Sequence, residues 1–564
     1  MRIILTVLFL ALTAAASAAG WWWFNRPIPV GLSYDEPFPS VSFAPFRRGQ
    51  GPITRIYPPP AQVEEDLRGL VGVARGVRTY TAREGIDVVP GLARKYGIEV
   101  THSAWLGAKL DVNEQEVRAL INAAREYPDT IRRVIVGNEV LLRQDLTADQ
   151  LAGYIRRVRE AVDQPVSYAD VWAFWLKNPQ LAAEVDFITI HILPYWEDEP
   201  VGVDGAAEHI VKIYRMVQEA FPGKPILIGE AGWPTRGRNR GPAAVNMENA
   251  AVFVRTLARV AKANGFDYNV VEAFDQPWKA QLEGSVGAKW GVVDEDRRVK
   301  YRMSGPVEPN PDWRTHAALS VLGGLAAAGW VLLRRPNRYR PRAALAVAAL
   351  AQVLAALVTW QALNAVALSY DLVTDAWALA RIGLHAAFAG LILLAAGETF
   401  ADGAAPTASR WAERLVPAYG AAAVVATALI FFNGRYRDIP NLEFLVPAVG
   451  VTAFALARMA VLGRGGVDAF AAGCLFAGGR PGGFGPARAM ARALLVSAVA
   501  APLSESIALW RGVDFQAMHP DLSQQVPLMA DIFLANGEML TWSAMLVVMA
   551  LPFLAEARRG LREG

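Results

Sequence analysis

The sequence predicts an α/β chain, a (β/α)8 TIM barrel followed by an all-α multispan transmembrane domain. Three observations carry that expectation. Eight short apolar runs alternate with helical patterns between residues 40 and 305. Several of these runs are continuously apolar, as parallel strands covered on both faces are. From residue 314 onward, Ala, Leu and Val dominate in stretches long enough to cross a bilayer. At 564 residues, 53% hydrophobic and only 19% charged, the chain is too long for one ordinary domain and too apolar for a wholly soluble one.

Residues 1–25 read as an N-terminal transmembrane anchor or signal sequence. Ala16-Ser17-Ala18 resembles a signal-peptidase site. The apolar run nevertheless continues to Trp23, about 20 residues, enough to span a bilayer. Trp21, Trp22 and Trp23 suit an interfacial belt, so a retained anchor is the favoured reading.

Residues 26–305 hold the barrel. Its expected strands are VSFAPF (41–46), GVRTY (76–80), IEVTHSAWL (98–106), VIVGNEV (134–140), PVSYAD (165–170), FITIHILPYW (187–196), ILIGEAGW (226–233) and YNVVEAFDQPW (268–278). GLSYDE (31–36) and ITRIY (53–57) are excluded as strands, because the spacing to VRTY would then be wrong; a pre-barrel extension is expected there. Asp111 with Glu114, and Thr147 with Gln150, suit capping boxes ahead of two helices. A longer helical pattern covers 247–263. Pro-Gly-Lys-Pro at 222–225 is a stop-and-turn signal before the seventh strand. A doubly wound open sheet is the runner-up, but no GxGxxG follows the first strand. Pro306, Pro309 and Pro311 mark a linker over 306–313.

Residues 314–564 form the expected transmembrane domain, with about seven helices. These lie near 314–333, 343–363, 376–397, 414–432, 443–462, 489–510 and 537–555. The segment 467–478 is too short to span and reads as interfacial or re-entrant. RRPNRYRPR (334–342), the group Arg480, Arg488 and Arg492, and the C-terminal EARRGLREG fall on one side of such a bundle. The positive-inside rule makes that side cytoplasmic. The expected location is a bacterial inner (plasma) membrane, multi-pass, with the barrel in the periplasm. Arg381, His385, Arg458 and Glu505 fall in or near the spans, and Arg381 could pair with Glu505.

A net charge of +3, with no concentrated basic stripe in the barrel region, argues against nucleic acid. Cys474 is the single cysteine, which excludes an intrachain disulfide and any CxxC site. The six histidines form no HxH or HExxH, so neither metal nor cofactor is expected.

In such a barrel the chemistry sits at the C-terminal ends of the strands. There the sequence places Arg78 and Tyr80 (second strand), His102 and Trp105 (third), Asn138 and Glu139 (fourth), and His191, Tyr195 and Trp196 (sixth). Glu230 and Trp233 follow on the seventh strand, and Glu272, Trp278 and Lys279 on the eighth. A buried carboxylate is costly unless paired, so Glu139 is either a structural ion or a displayed one. Two carboxylates at one barrel mouth among aromatic residues make a sugar-processing constellation. One protonates the leaving oxygen; the other attacks the anomeric carbon or activates water. Trp196, Trp233 and Trp278 are candidates for stacking on sugar rings. Glu272 with Lys279 equally reads as a structural pair, and Arg78 as a structural partner of a carboxylate.

GNEV with IGEAGW, together with RTY and EAFDQPWK, resembles glycoside hydrolase family 17, the β-1,3-glucanase and β-1,3-glucan transglycosylase family. The resemblance covers about residues 40–303. VSFAPF and Trp290-Gly291-Val292 bring it closer to the bacterial membrane-anchored branch. It implies a retaining double displacement with Glu139 as acid/base and Glu230 as nucleophile. Asn138 would bond the sugar 2-hydroxyl, Arg78 and Tyr80 would support Glu230, and Tyr195 and Trp233 would line the groove. HILPYW departs from the plant pattern, which has Asn and aromatic residues there.

The expected function is a membrane-anchored β-glucan transglycosylase that elongates, branches or cyclises β-1,3-glucan. Its implied partners are β-glucan, the lipid bilayer and a glucan synthase. A β-1,3-glucan hydrolase is the alternative, and a non-catalytic glucan-binding or export partner is the alternative of another class. A nucleotide-sugar glycosyltransferase is disfavoured, since no acidic metal-binding motif stands in a nucleotide-binding setting.

Overall fold

The computed structural model describes residues 2–563 except 336–337, 404, 433–435, 464–465, 478–485, 512–514 and 516–518. Two compact units result. One is Pro27–Pro309; the other joins Met1–Arg26 to Asn310–Gly564.

The first unit is a closed barrel of eight parallel strands in sequence order. They are β1 (Val41–Ser42), β2 (Gly76–Arg78), β3 (Glu99–Ala104), β4 (Ile131–Asn138), β5 (Val166–Val171), β6 (Ile188–His191), β7 (Ile226–Ala231) and β8 (Asp267–Val270). Val41 pairs with both Val77 and Val270, which closes the ring. Helices between the strands cover the outside, so the wall is apolar on both faces, as its continuous Val and Ile runs require. Val77, Val100, Val134, Val166, Ile188, Ile228 and Val270 have no exposed surface.

Every expected strand lies where the sequence places it, but most stop earlier. The residues after Arg78, Asn138, His191 and Val270 leave the ladder and become mouth loops. Thr147 and Gln150 form the expected capping box ahead of Ala148–Arg159. Asp111 does not cap. The helix Leu110–Glu126 starts two residues earlier, with Lys109 at its N-cap and no side-chain cap, which places Asp111 inside its first turn. ITRIY is likewise not a pre-barrel extension, because it lies between β1 and the helix Pro60–Gly69, inside the first strand-to-helix loop.

The two ends of this unit are clipped together. Ile28 and Val307 form an antiparallel bridge. Fully buried Arg255 donates to the carbonyls of Leu32, Gly305 and Arg302 at 2.6–3.0 Å. One guanidinium thus ties backbone acceptors from both arms together.

The second unit is helical. Eight of its helices are long and apolar enough to cross a membrane: Ile3–Asn25, Trp313–Leu333, Pro341–Ala367, Leu372–Asp402, Thr407–Ile430, Leu442–Leu462, Ala487–Ala508 and Gly537–Arg559. Among its described residues, segment 467–478 contains the short helices Val467–Phe470 and Ala472–Phe476. A further helix, Leu522–Ala535, has no counterpart in the sequence reading. Arg480 lies outside the described residues. Arg381 pairs with Glu443 rather than Glu505, and Glu505 accepts from Asn536 at 2.8 Å. Sequence distance hid both partners.

Candidate active site

Glu139 follows the last residue of β4, where the backbone turns sharply. Gly137 has φ +86° and Glu139 φ +52°, both left-handed. A Cβ at Gly137 would meet the Val140 side chain at 2.7 Å, so only glycine fits there. The turn lifts Glu139 out of the ladder while its N–H still donates to the Ala169 carbonyl at 2.8 Å. Arg143 braces the turn from below, donating to the carbonyls of Asn138 and Leu106.

Glu230 lies in β7, with its side chain 11% exposed, against 23% for Glu139. An oxygen of each comes within 4.8 Å of the other. Arg78, at the end of β2 and wholly buried, binds the two sides together. It donates to Gly229 O at 2.7 Å, Glu230 Oε1 at 3.2 Å and Asn138 Oδ1 at 2.6 Å. The Tyr80 ring lies 4.8 Å from the Arg78 guanidinium carbon, and its hydroxyl bonds Ser42 Oγ at 2.7 Å. Burial and the Glu230 charge push the Tyr80 hydroxyl well above its ordinary value, so it remains protonated.

His191 ends β6 between the two carboxylates. Its Nδ1 lies 2.8 Å from Glu139 Oε1, and its Nε2 lies 3.5 Å from Glu230 Oε1. Burial favours a neutral Glu139, but the His191 hydrogen bond with the charges of His191, Arg143 and Arg78 outweighs it and holds the carboxyl below its usual range. Glu139, His191 and Glu230 could hold an ion by distance alone. Linear spacing could not show this grouping, because its members come from β4, β6 and β7. The Arg78 guanidinium on Glu230 brings positive charge into the same space and opposes a cation.

Around this centre, Asp170 of β5 accepts from the Tyr168 hydroxyl and is pushed up to about 6, by burial first and then by the Glu139 charge against that bond. Lys279 donates to buried Glu272 at 3.0 Å, as the pairing alternative expects. Burial pushes Glu272 up to about 7, whereas Lys279 stays protonated despite burial because Glu272 and Glu283 face it. Glu283 is itself pushed up by burial and by the Glu139 and Glu230 charges.

The aromatic expectations divide. Trp196 and Trp278 are half-buried; Trp196 stacks on Trp290 at 6.4 Å, and Trp278 donates to Gln276 at 3.0 Å. Trp233 and Tyr195 are fully buried and line no groove. The Trp233 indole donates to Ala244 O at 3.0 Å and packs on Phe253, and Tyr195 donates to Arg238 O at 2.7 Å. Both hold the mouth loops from beneath. Trp105, by contrast, keeps 39% of its surface, with the Arg143 guanidinium 4.2 Å from its ring. His102 is buried against Thr79, and burial pushes it down to about 4, which leaves it neutral.

Comparison with known proteins gives a consistent answer. Residues 40–291 match the family described as the BtgE/BtgC glycoside hydrolase domain. A glucan 1,3-beta-glucosidase of Schizosaccharomyces pombe is 29% identical over 258 residues, 42% of this chain and 79% of the relative. On these matches the barrel is similar to family 17-like glycoside hydrolase domains. The glucan 1,3-beta-glucosidase BGL2 of Candida albicans is 27% identical over 263 residues, 43% of this chain and 85% of its own length. A solved family 17 β-1,3-glucanosyltransferase of Rhizomucor miehei aligns with 28% identity and TM-score 0.42, over 47% of this chain and 95% of its own.

From sequence, His191 stands at the end of the sixth strand of this family 17-like barrel with no role attached, and Glu283 does not stand out. HILPYW signals His191 by departing from the plant pattern. Glu283 stands in no local pattern and is placed only by the fold.

Proposed function

We propose that the chain is a membrane-anchored, retaining β-glucan transglycosylase acting on β-1,3-glucan outside the cytoplasm. The division of labour follows the sequence: an anchor over 1–25, the catalytic barrel over 26–305, a linker over 306–313 and a membrane domain over 314–564. The observation that carries the reaction is the approach of Glu139 and Glu230 to within 4.8 Å at one barrel mouth. Retaining glycosidases place their carboxyl groups about 5–5.5 Å apart, and inverting ones about 6.5–9.5 Å apart to admit water.

Glu230 attacks the anomeric carbon, and Glu139 protonates the departing glycosidic oxygen. Glu139 then takes a proton from the acceptor as that acceptor displaces Glu230. Arg78 holds the nucleophile in place and orients Asn138 towards the sugar 2-hydroxyl. Tyr80 supports Glu230, while Trp196 and Trp278 supply half-open aromatic surface. Glu272 and Lys279 set the charge of the eighth-strand wall. A covalent intermediate is what transfer requires, since a sugar hydroxyl can replace water at the second step.

Eight apolar helices support placement in a bilayer, and the basic loops support the bacterial inner membrane with the barrel in the periplasm. A glucan synthase in the same membrane would supply both donor and acceptor. Hydrolysis is the second reading, favoured by relatives named glucosidases.

Linear β-1,3-gluco-oligosaccharides with the full chain in detergent decide between them. Longer, branched or cyclic products mean transfer; only shorter ones mean hydrolysis. Glu139→Gln and Glu230→Gln each lower turnover by about 10²–10⁴-fold or more. Undiminished processing by both variants would overturn the catalytic assignment of the two carboxylates, and no processing by the unmodified chain would leave the glucan-binding or export reading.

A further inference from the structure

We infer that His191 stores the proton that Glu139 delivers, so that the general acid is the Glu139–His191 pair rather than Glu139 alone. The inference rests on the catalytic assignment above and deepens it. His191 is 1% exposed and reaches an oxygen of each carboxylate, at 2.8 Å through Nδ1 and 3.5 Å through Nε2. The charged groups facing this cluster come from every side: Arg143 beside Glu139, Asp170 from β5, Arg78 from β2, and Lys279 and Glu283 beyond β8.

A carboxyl so placed has little reason to keep a proton at neutral pH. Arg143 and Arg78 both favour its ionised form, which accepts from Nδ1 whenever the ring carries the proton there. An ordinary imidazole holds its proton about two pH units higher than an ordinary carboxyl. A proton stored on this ring lies between both carboxylates, whose oxygens are 2.8 and 3.5 Å from its two nitrogens.

The Nδ1 proton passes to Glu139, which gives it to the glycosidic oxygen as the bond from that oxygen to the anomeric carbon breaks. The bonding electrons leave with the oxygen, and a Glu230 oxygen supplies the pair for the new bond. Imidazolium has become neutral imidazole, and the Glu230 carboxylate has become an ester. The remaining Nε2–H points at Glu230, while the bare Nδ1 lone pair faces the Glu139 carboxylate. That repulsion makes Glu139 a better base for the acceptor hydroxyl. When the acceptor proton arrives, it returns through Glu139 to Nδ1 and the ester is released.

The test is the pH profile of kcat/KM for a linear β-1,3-gluco-oligosaccharide, with the full chain in detergent. In His191→Gln the side-chain amide can still donate to Glu139 but cannot store a proton. Its alkaline limb is expected to fall by about 1–2 pH units, from an imidazole-like to a carboxyl-like position. A limb that stays put or rises makes His191 merely a hydrogen-bond donor and overturns the inference. The unmodified protein gives an independent reading if the variant misfolds. An imidazolium limb moves to lower pH on warming, whereas a carboxyl limb barely moves, and a temperature-independent limb overturns the inference. Glu139→Gln and Glu230→Gln, run alongside, separate the failures. If both stay active, the catalytic assignment falls; if both are crippled while the His191→Gln limb does not fall, only proton storage falls.

Discussion

In the barrel unit, residues without measurable exposure include Arg78, His102, Asp170, Arg255 and Glu272 beside the aliphatic core. Its surface carries ion pairs such as Lys95–Glu64 and Arg157–Glu114. The helical unit presents the reverse exterior. Leu372, Val373, Trp377 and Phe432 are 86%, 76%, 62% and 70% exposed. Water rewards charge outside and tolerates it inside only where partners are supplied. Lipid rewards an apolar outside and leaves backbone groups to bond within helices. The same composition rules therefore produce opposite surfaces, and the barrel's interior charges become the informative ones, because nothing about solvation puts them there.

The comparison breaks first at Arg78. Replacing it with Ala strands Glu230 without its buried cation, which costs about 3–5 kcal/mol by analogy with other split buried pairs. Denaturant unfolding followed by tryptophan fluorescence measures the loss, and turnover should vanish with it. Arg78→Lys should restore part of the stability but not the threefold contact, because an ammonium lacks the fork.

The exteriors can be exchanged next. Leu322 is 63% exposed near the centre of Trp313–Leu333. Leu322→Arg should raise the cost of membrane insertion by about 2.5–3.5 kcal/mol, read in a translocon insertion assay. Val71→Lys makes the same kind of change at a 54% exposed barrel position. It should shift stability by no more than about 0.5 kcal/mol. Equal effects at the two sites would mean that the two exteriors do not face different solvents.

Asp170 tests the interior charge through pH. Its carboxyl stands at about 6 in the fold, above the ordinary 3.8. Its contribution is therefore fully present below about pH 3.8 and is lost as pH rises through about 6. Asp170→Asn lacks that loss, so its stability relative to the parent should climb between pH 4 and 7, by at most about 3 kcal/mol. Unfolding midpoints across that range check the sign. The smallest effect is expected at the surface, where Thr147→Ala removes an N-cap and costs about 1 kcal/mol.

What the sequence made legible was the periodic part. Runs such as VIVGN and ILIGEA are strands because Val and Ile continue through both faces, and Thr147-x-x-Gln150 caps because its geometry is local. Asp111 failed because a cap depends on which residue begins the helix, and two residues of slippage move the carboxylate inside. Glu139 and Glu230 were visible as polar residues at the ends of apolar strands. Whether an aromatic ring is open or buried depends on loops that pack over it, so Trp233 and Tyr195 looked like a groove and proved to be packing. His191 and Glu283 meet the carboxylates through three dimensions, and a linear pattern could mark only the first, by its departure from a family habit.

The left-handed turn at Glu139 carries a last consequence. A non-glycine residue in that conformation costs of order 1–3 kcal/mol, which the surrounding fold must absorb. Glycine adopts it freely, and asparagine more readily than glutamate does. A mutant library sorted for heat resistance alone would therefore drift away from glutamate at position 139. On the proposed assignment of Glu139 as acid/base, folding and turnover pull in opposite directions at that codon, and breeding a hardier protein would need a sugar in the screen.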